Sequence, residues 1–184
     1  MSMAGVAYEV AAAINGTYEL AEEHVSTSGE KADNAVSVEV DDAEANPYYG
    51  AFVIKGIEVG PSPLWMQNRL TAAGIRPINN VVDITNYVLM EYGQPLHAFD
   101  YDRFGSDKVV TRRAKDGETI KTLDDQERTL TSDHLVITNG ETPHAIAGVM
   151  GGAESEVQDD TKNIILEAAY FDPAVVRQSS KDHG

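Results

Sequence analysis

The stretch from residue 76 to residue 104 constrains the fold more than any other part of the chain. Pro77 disfavours a helical conformation at Arg76, so Arg76-Pro77-Ile78 reads as a loop. Asn79 or Asn80 can then cap a helix by accepting from the free N–H groups of its first turn. Val81, Ile84, Val88, Leu89 and Tyr92 recur at threes and fours, which predicts one apolar stripe. Gly93 is placed to end the helix in a left-handed turn. Gln94-Pro95-Leu96-His97-Ala98-Phe99-Asp100 follows as an extended return segment. Thr85 and Asn86 sit mid-helix, where their propensity is poor, and that mismatch hints at a site.

Around this stretch the punctuation is uneven. Val6, Val10 and Ile14 share a face of a helix over residues 5–15, which starts without an evident cap and stops at Asn15-Gly16. Residues 17–47 are acidic and alternate weakly, with Val36-Ser37-Val38-Glu39-Val40 as the best strand. Residues 48–59 form a strand broken at Gly56. A second helix has Ser62 as its cap, Pro63 at its first position and Gly74 at its stop. Its Leu64, Trp65, Leu70 and Ala73 are expected in the core, with Trp65 a packing anchor rather than a base-stacking surface.

Beyond residue 107 the chain reads as strands: Lys108-Val109-Val110-Thr111, a hairpin turned at Asp124-Asp125, and a buried Leu135-Val136-Ile137-Thr138 turned by Asn139-Gly140 into His144-Ala145-Ile146-Ala147. The last strand covers residues 164–171, and Asp172-Pro173 opens a closing helix. Many strands and about four helices without a βαβ rhythm predict an α+β fold, with mixed, largely antiparallel sheets flanked by helices.

Composition removes several classes of function. A chain of 184 residues is one domain or one compact piece of a larger protein. It has no cysteine, hence no disulfide framework and no thiolate metal site. No apolar run reaches membrane-spanning length, and the start lacks the basic character of a signal peptide. A net charge of −16 argues against tight, autonomous nucleic-acid binding.

A few residues carry chemistry. Glu167 lies in an otherwise apolar strand and either points to solvent or needs donors inside a pocket. His97 is a general base, a donor to substrate or a packing residue. Gly148, Gly151 and Gly152 either let backbone approach a ligand or make a tight turn, and they match no phosphate-binding pattern. Arg112 and Arg113 are expected to pair with carboxylates. His97 and Asp100 could suggest a metal, but His24, His134, His144 and His183 are scattered without ligand spacing, so no metal is expected.

Several of these segments resemble one known family together. Arg76-Pro77-Ile78-Asn79-Asn80-Val81-Val82-Asp83-Ile84-Thr85-Asn86-Tyr87, Gly93-Gln94-Pro95-Leu96-His97-Ala98-Phe99-Asp100, Leu123-Asp124, Ala147-Gly148-Val149-Met150-Gly151-Gly152 and Leu166-Glu167-Ala168-Ala169 resemble, in order, the B3/B4 editing domain of the bacterial phenylalanyl-tRNA synthetase beta subunit. The resemblance implies an organisation: residues 1–16 a helix of the neighbouring module, 17–47 an acidic lead-in, and 48–184 the editing-like domain. It also implies an excised piece, because the family's OB-fold module is absent and its chain continues past Gly184 into a stretch that walls the pocket.

The function implied is hydrolysis of tyrosine wrongly attached to tRNA(Phe). A pocket for phenylalanine rejects the same ring with one added hydroxyl only weakly, whereas a second site built to bond that hydroxyl can select it. By position, the resemblance makes Glu167 the reader of the phenolic hydroxyl and gives His97 a part in reading it or in orienting the hydrolytic water. It makes Thr85 and Asn86 holders of the amino acid's polar backbone or ester, and Gly148 the residue that leaves room. The domain itself needs no cofactor. The parent ligase uses ATP and Mg on the alpha subunit, acts on the 3′ end of tRNA(Phe), assembles as two alpha and two beta subunits, and is cytoplasmic, with no membrane or DNA partner. The other reading implied is a structural, subunit-packing domain with no working site.

Overall fold

The computed structural model describes residues 2–20, 25–27 and 29–183; Met1, His24 and Gly184 lie outside them. Two units build the chain, one from Met1–Glu30 with Gly60–Leu96, the other from Lys31–Val59 with His97–Gly184.

The first unit is helical. Helix α1 (Met3–Ala13) does have a cap: the Ser2 hydroxyl accepts from Gly5 N at 3.0 Å. In α2 (Leu64–Ala72) the carbonyl of Pro63 starts the helical ladder, while Ser62, expected as the cap, gives its hydroxyl to the Asp83 carboxylate. Leu70 is buried as expected, but Leu64, Trp65 and Ala73 are exposed. A nine-residue helix covers one face, and Met66 and Leu70, four apart, are the pair that fall on it. Trp65 instead stands edge-on to Tyr87, and the Arg69 guanidinium lies over its ring.

Helix α3 (Asn80–Tyr92) has the expected ends. Asn79 accepts from Val82 N at 2.9 Å, and Gly93 takes φ 81°. The expected stripe holds only in part: Val81 is buried and Val88 half-buried, but Ile84, Leu89 and Tyr92 are exposed, and the polar Asp83 and Thr85 are buried instead. Asp83 tolerates burial because it accepts from Ile78 N at 2.7 Å and from Ser62, which fixes the loop over residues 76–78.

The second unit holds the sheets. Its strands are β1 (Ser37–Val40), β2 (Tyr48–Lys55), β3 (Leu96–Asp100), β4 (Lys108–Arg113), β5 (Thr119–Lys121), β6 (Glu127–Thr129), β7 (Leu135–Thr138), β8 (Pro143–Ile146), β9 (Met150–Gly151) and β10 (Asn163–Tyr170). Two helices accompany them, α4 (Tyr101–Phe104) and α5 (Pro173–His183), the latter opened by Asp172, whose carboxylate accepts from Ala174 N and Val175 N. One sheet runs β1-β4-β7-β8-β9, parallel between β1 and β4 and antiparallel beyond; a second runs β2-β10-β3; β5 and β6 pair as a hairpin. This is the α+β architecture expected from the sequence.

All four residues of β7 are buried because both faces of its sheet are covered. Leu135 and Ile137 share a cluster with Phe99, Val109, Ala145 and Ile165, which joins the two larger sheets. Val136 and Ile146 pack on the opposite face with Ile120 and Leu130. Burying each such side chain contributes roughly 1.5–3 kcal/mol. Asn46 adds a polar tie: its amide donates to the carbonyls of Tyr48 and Tyr170, and its oxygen accepts from the Thr111 hydroxyl at 2.9 Å.

Candidate functional site

Strand β10 is the middle strand of its sheet, so its side chains have neighbours on both sides. Period-two alternation puts Ile165 and Glu167 on one face. Ile165 is fully buried in the main cluster, and Glu167 is 7% exposed. A carboxylate on the inward face, not the solvent face, is therefore the observed arrangement. Its register partner across the pair is Ala51, and the diagonal neighbour Tyr49 donates its phenolic O–H to Glu167 Oε2 at 2.6 Å. Burial pushes the Glu167 pKa up to about 7, against the lowering effect of the Tyr49 hydrogen bond. Burial first, and the neighbouring carboxylate second, raise the Tyr49 phenol well above its usual range.

His97 lies on β3, the other neighbour of β10. Phe99, two residues on, belongs to the same buried cluster as Ile165, so alternation places His97 and Glu167 on the same face of the sheet. The imidazole stands edge-on to Phe99 with ring centroids 4.5 Å apart. It keeps part of its surface open, yet protein atoms crowd it, and desolvation lowers its pKa to about 4. At neutral pH it is an uncharged ring able to donate at one nitrogen and accept at the other.

The glycine segment reaches this region by a different route. Residues 147–149 turn between β8 and β9, with Gly148 at φ 68°. A Cβ at Gly148 would lie 2.8 Å from Val176 Cγ2 and 3.4 Å from Phe171 Cδ2. At Gly151 a Cβ would lie 2.5 Å from His97 Cε1 and 2.8 Å from Nε2, so the backbone there is the seat of the imidazole. The segment is thus a tight turn, and what its glycines leave room for here is protein: Val176 and Phe171 at Gly148, the His97 ring at Gly151.

Thr85 and Asn86 belong to the other unit, on α3. Thr85 is buried and its hydroxyl donates to Val82 O at 2.8 Å; Asn86 is half-buried. The structure thus brings Glu167, His97 and the glycine segment into one unit.

Sequence reasoning did not single out Tyr49, and took Gly151 only as part of a glycine run. No local signal marks Tyr49: its contact with Glu167 comes from the antiparallel register of β2 on β10. Arg112 pairs with Glu118 and Arg113 with Asp42, as expected of arginines on an acidic chain. His134 and His183, far apart in sequence, are neighbours, and His134 Nε2 meets Asp182 Oδ2 at 3.2 Å. No group of three or more His, Asp or Glu is arranged to hold a metal among the described residues, and no described helix is long and apolar enough to cross a membrane. Clefts elsewhere among the described residues include one of about 390 Å³ beside Leu70, Tyr87 and Met90 and one of about 230 Å³ beside Ile120, Thr142 and Gly152.

Comparison with known proteins agrees with this fold. Residues 45–184 match the B3/4 domain family. Across all 184 residues the chain is 66% identical to the phenylalanine–tRNA ligase beta subunit of Halalkalibacterium halodurans and 62% identical to that of Bacillus subtilis, and it spans 23% of the length of each. An N-terminal fragment of the phenylalanyl-tRNA synthetase beta subunit from Pyrococcus horikoshii shares the fold, with a TM-score of 0.56 at 16% identity over 95% of this chain and 53% of that one. The chain therefore belongs to the B3/4 domain family, in the form found in phenylalanine–tRNA ligase beta subunits.

Proposed function

We propose that this chain carries an editing site that hydrolyses tyrosyl-tRNA(Phe), with residues 48–184 as the editing domain. The observation that supports this most is Glu167: a buried carboxylate that already accepts a phenolic O–H from within the protein. A tyrosyl ring would offer the same group to the second carboxylate oxygen; a phenylalanyl ring would offer that oxygen no donor, which disfavours it.

In the proposed reaction a water adds to the ester carbonyl, the C–O bond to the terminal ribose breaks, and tyrosine and free tRNA leave. His97, neutral at pH 7, orients the water or bonds the ring hydroxyl. Its low pKa makes it a weak base, so positioning and the substrate's own ribose hydroxyl would supply much of the rate. Thr85 and Asn86 are proposed to hold the amino acid's polar backbone or the ester, and Gly148 to keep the entrance open. In the parent enzyme, ATP and Mg would serve the alpha subunits, two alpha and two beta subunits would assemble, and the tRNA 3′ end would be delivered by the assembly in the cytoplasm.

A second reading, a structural module, is favoured by the apolar side chains exposed on α1, among them Met3, Val6, Tyr8 and Val10. Calorimetric titration of the chain with tyrosine and phenylalanine separates the two. The editing reading expects tyrosine to bind more tightly, and Glu167→Ala to erase the difference. Equal binding in the parent chain, or none, leaves the structural reading.

A further inference from the structure

The contact between Tyr49 and Glu167 reaches beyond the residues so far given a role. We propose that Tyr49 is a positioning residue for tyrosine selection: its phenol occupies Glu167 Oε2 and leaves Oε1 as the acceptor for the substrate's ring hydroxyl. The proposal rests on the editing reading above.

Three observations carry it. First, the two strands hold the pair rigidly: β2 and β10 are in continuous antiparallel register from Asn163↔Lys55 to Tyr170↔Tyr48, with Tyr49 diagonal to Glu167. Second, the Tyr49 hydroxyl is the one donor to this carboxylate among the described residues, at 2.6 Å. A glutamate has three side-chain torsions; a single short bond to a fixed ring removes most of that freedom, so the second oxygen keeps one direction. Third, Tyr49 packs on the main cluster together with Ala51 and Val53, so its ring is held independently of the hydroxyl. By alternation the polar groups on this face of the sheet are Tyr49 and Lys55 from β2, Asn163 from β10 and His97 from β3; Lys55 and Asn163 are register partners at the far end of the strand pair, and Ile165 and Ala169, the β10 neighbours of Glu167 on either side, are apolar.

The arrangement explains a selection problem. A free buried carboxylate would turn toward any donor, including water or the ammonium of a bound amino acid. With Oε2 engaged, one acceptor of fixed direction remains, and a ring hydroxyl is a donor that can meet it. Tyr49 acts through Glu167 and touches no substrate.

The test is Tyr49→Phe in the full chain, which keeps the ring and removes the hydroxyl. Two measurements are made beside the parent chain: titration with free tyrosine and phenylalanine, and the Glu167 carboxyl ¹³C shift as a function of pH. The proposal expects tyrosine to bind about tenfold more weakly with phenylalanine unchanged, and the Glu167 midpoint to rise, because a bond to the ionised form is lost. A purely structural tyrosine would weaken both ligands alike or neither. If Tyr49→Phe does not fold, 3-fluorotyrosine at position 49 keeps the shape with a more acidic phenol, and the expected result is a lower Glu167 midpoint with tyrosine preference kept. An unchanged preference in Tyr49→Phe, or an unmoved midpoint in either variant, overturns the role of Tyr49 alone. A parent chain that fails to prefer tyrosine overturns the editing reading and this proposal with it.

Discussion

The imidazole of His97 rests against the bare backbone of Gly151, at a distance where a methyl group would have to displace it. Gly151 does not have positive φ, so alanine is conformationally acceptable there and the strain falls on the ring. Its neighbour Gly152 differs, because a Cβ there would meet the His144 carbonyl, which cannot step aside.

Gly151→Ala is therefore expected to move His97 without unfolding the chain. Overpacking of this kind costs roughly 1–3 kcal/mol, so the melting temperature falls modestly. The His97 ring resonances should shift clearly, and under the proposed editing function release of tyrosine from tyrosyl-tRNA should slow by at least about tenfold. Unchanged ring resonances would show that the imidazole is not seated on this glycine.

Glu167 and His97 should impose opposite pH dependences on stability. The pKa of Glu167 is raised from 4.5 to about 7, so its contribution is complete below pH 4.5 and is lost as the pH rises through 7. The pKa of His97 is lowered from 6.5 to about 4, so its contribution is complete above pH 6.5 and is lost as the pH falls through 4. A shift of this size corresponds to about 3 kcal/mol, somewhat less for His97, which keeps contact with solvent. The two partly cancel in the parent chain. Glu167→Gln should gain stability relative to the parent as the pH rises from 4.5 to 8, and His97→Gln should gain more at pH 5 than at pH 7.5. Urea midpoints measured across this range decide it; parallel profiles for parent and variants would contradict the assignment.

Asn46 is expected to be a weak point of the sheet unit. Asn46→Ala leaves the carbonyls of Tyr48 and Tyr170 and the Thr111 hydroxyl without their shared partner, a loss of about 3 kcal/mol. Asn46→Asp should be worse at neutral pH, since it turns a carboxylate oxygen toward two carbonyls. Denaturant unfolding that ranks aspartate above alanine would show that the carbonyls have other donors.

The sequence by itself determined the local punctuation and the class of fold. Asn79, Gly93, Asp172 and the alternation in residues 164–171 act through neighbours a few positions away, so their effects are visible in order along the chain. Which surfaces are covered was decided only in three dimensions. Ile84, Leu89 and Tyr92 of the stripe expected on α3, and Trp65 on α2, are exposed because an apolar pattern marks a face without naming what covers it. The inward side of Glu167, the phenol that holds it, and the glycine under His97 depend on strand register and strand placement, which join residues from 54 (His97 and Gly151) to 118 (Tyr49 and Glu167) positions apart. Hydrophobic periodicity is a property of one segment; a hydrogen bond across a sheet is a property of two, and only the folded chain brings them within 2.6 Å.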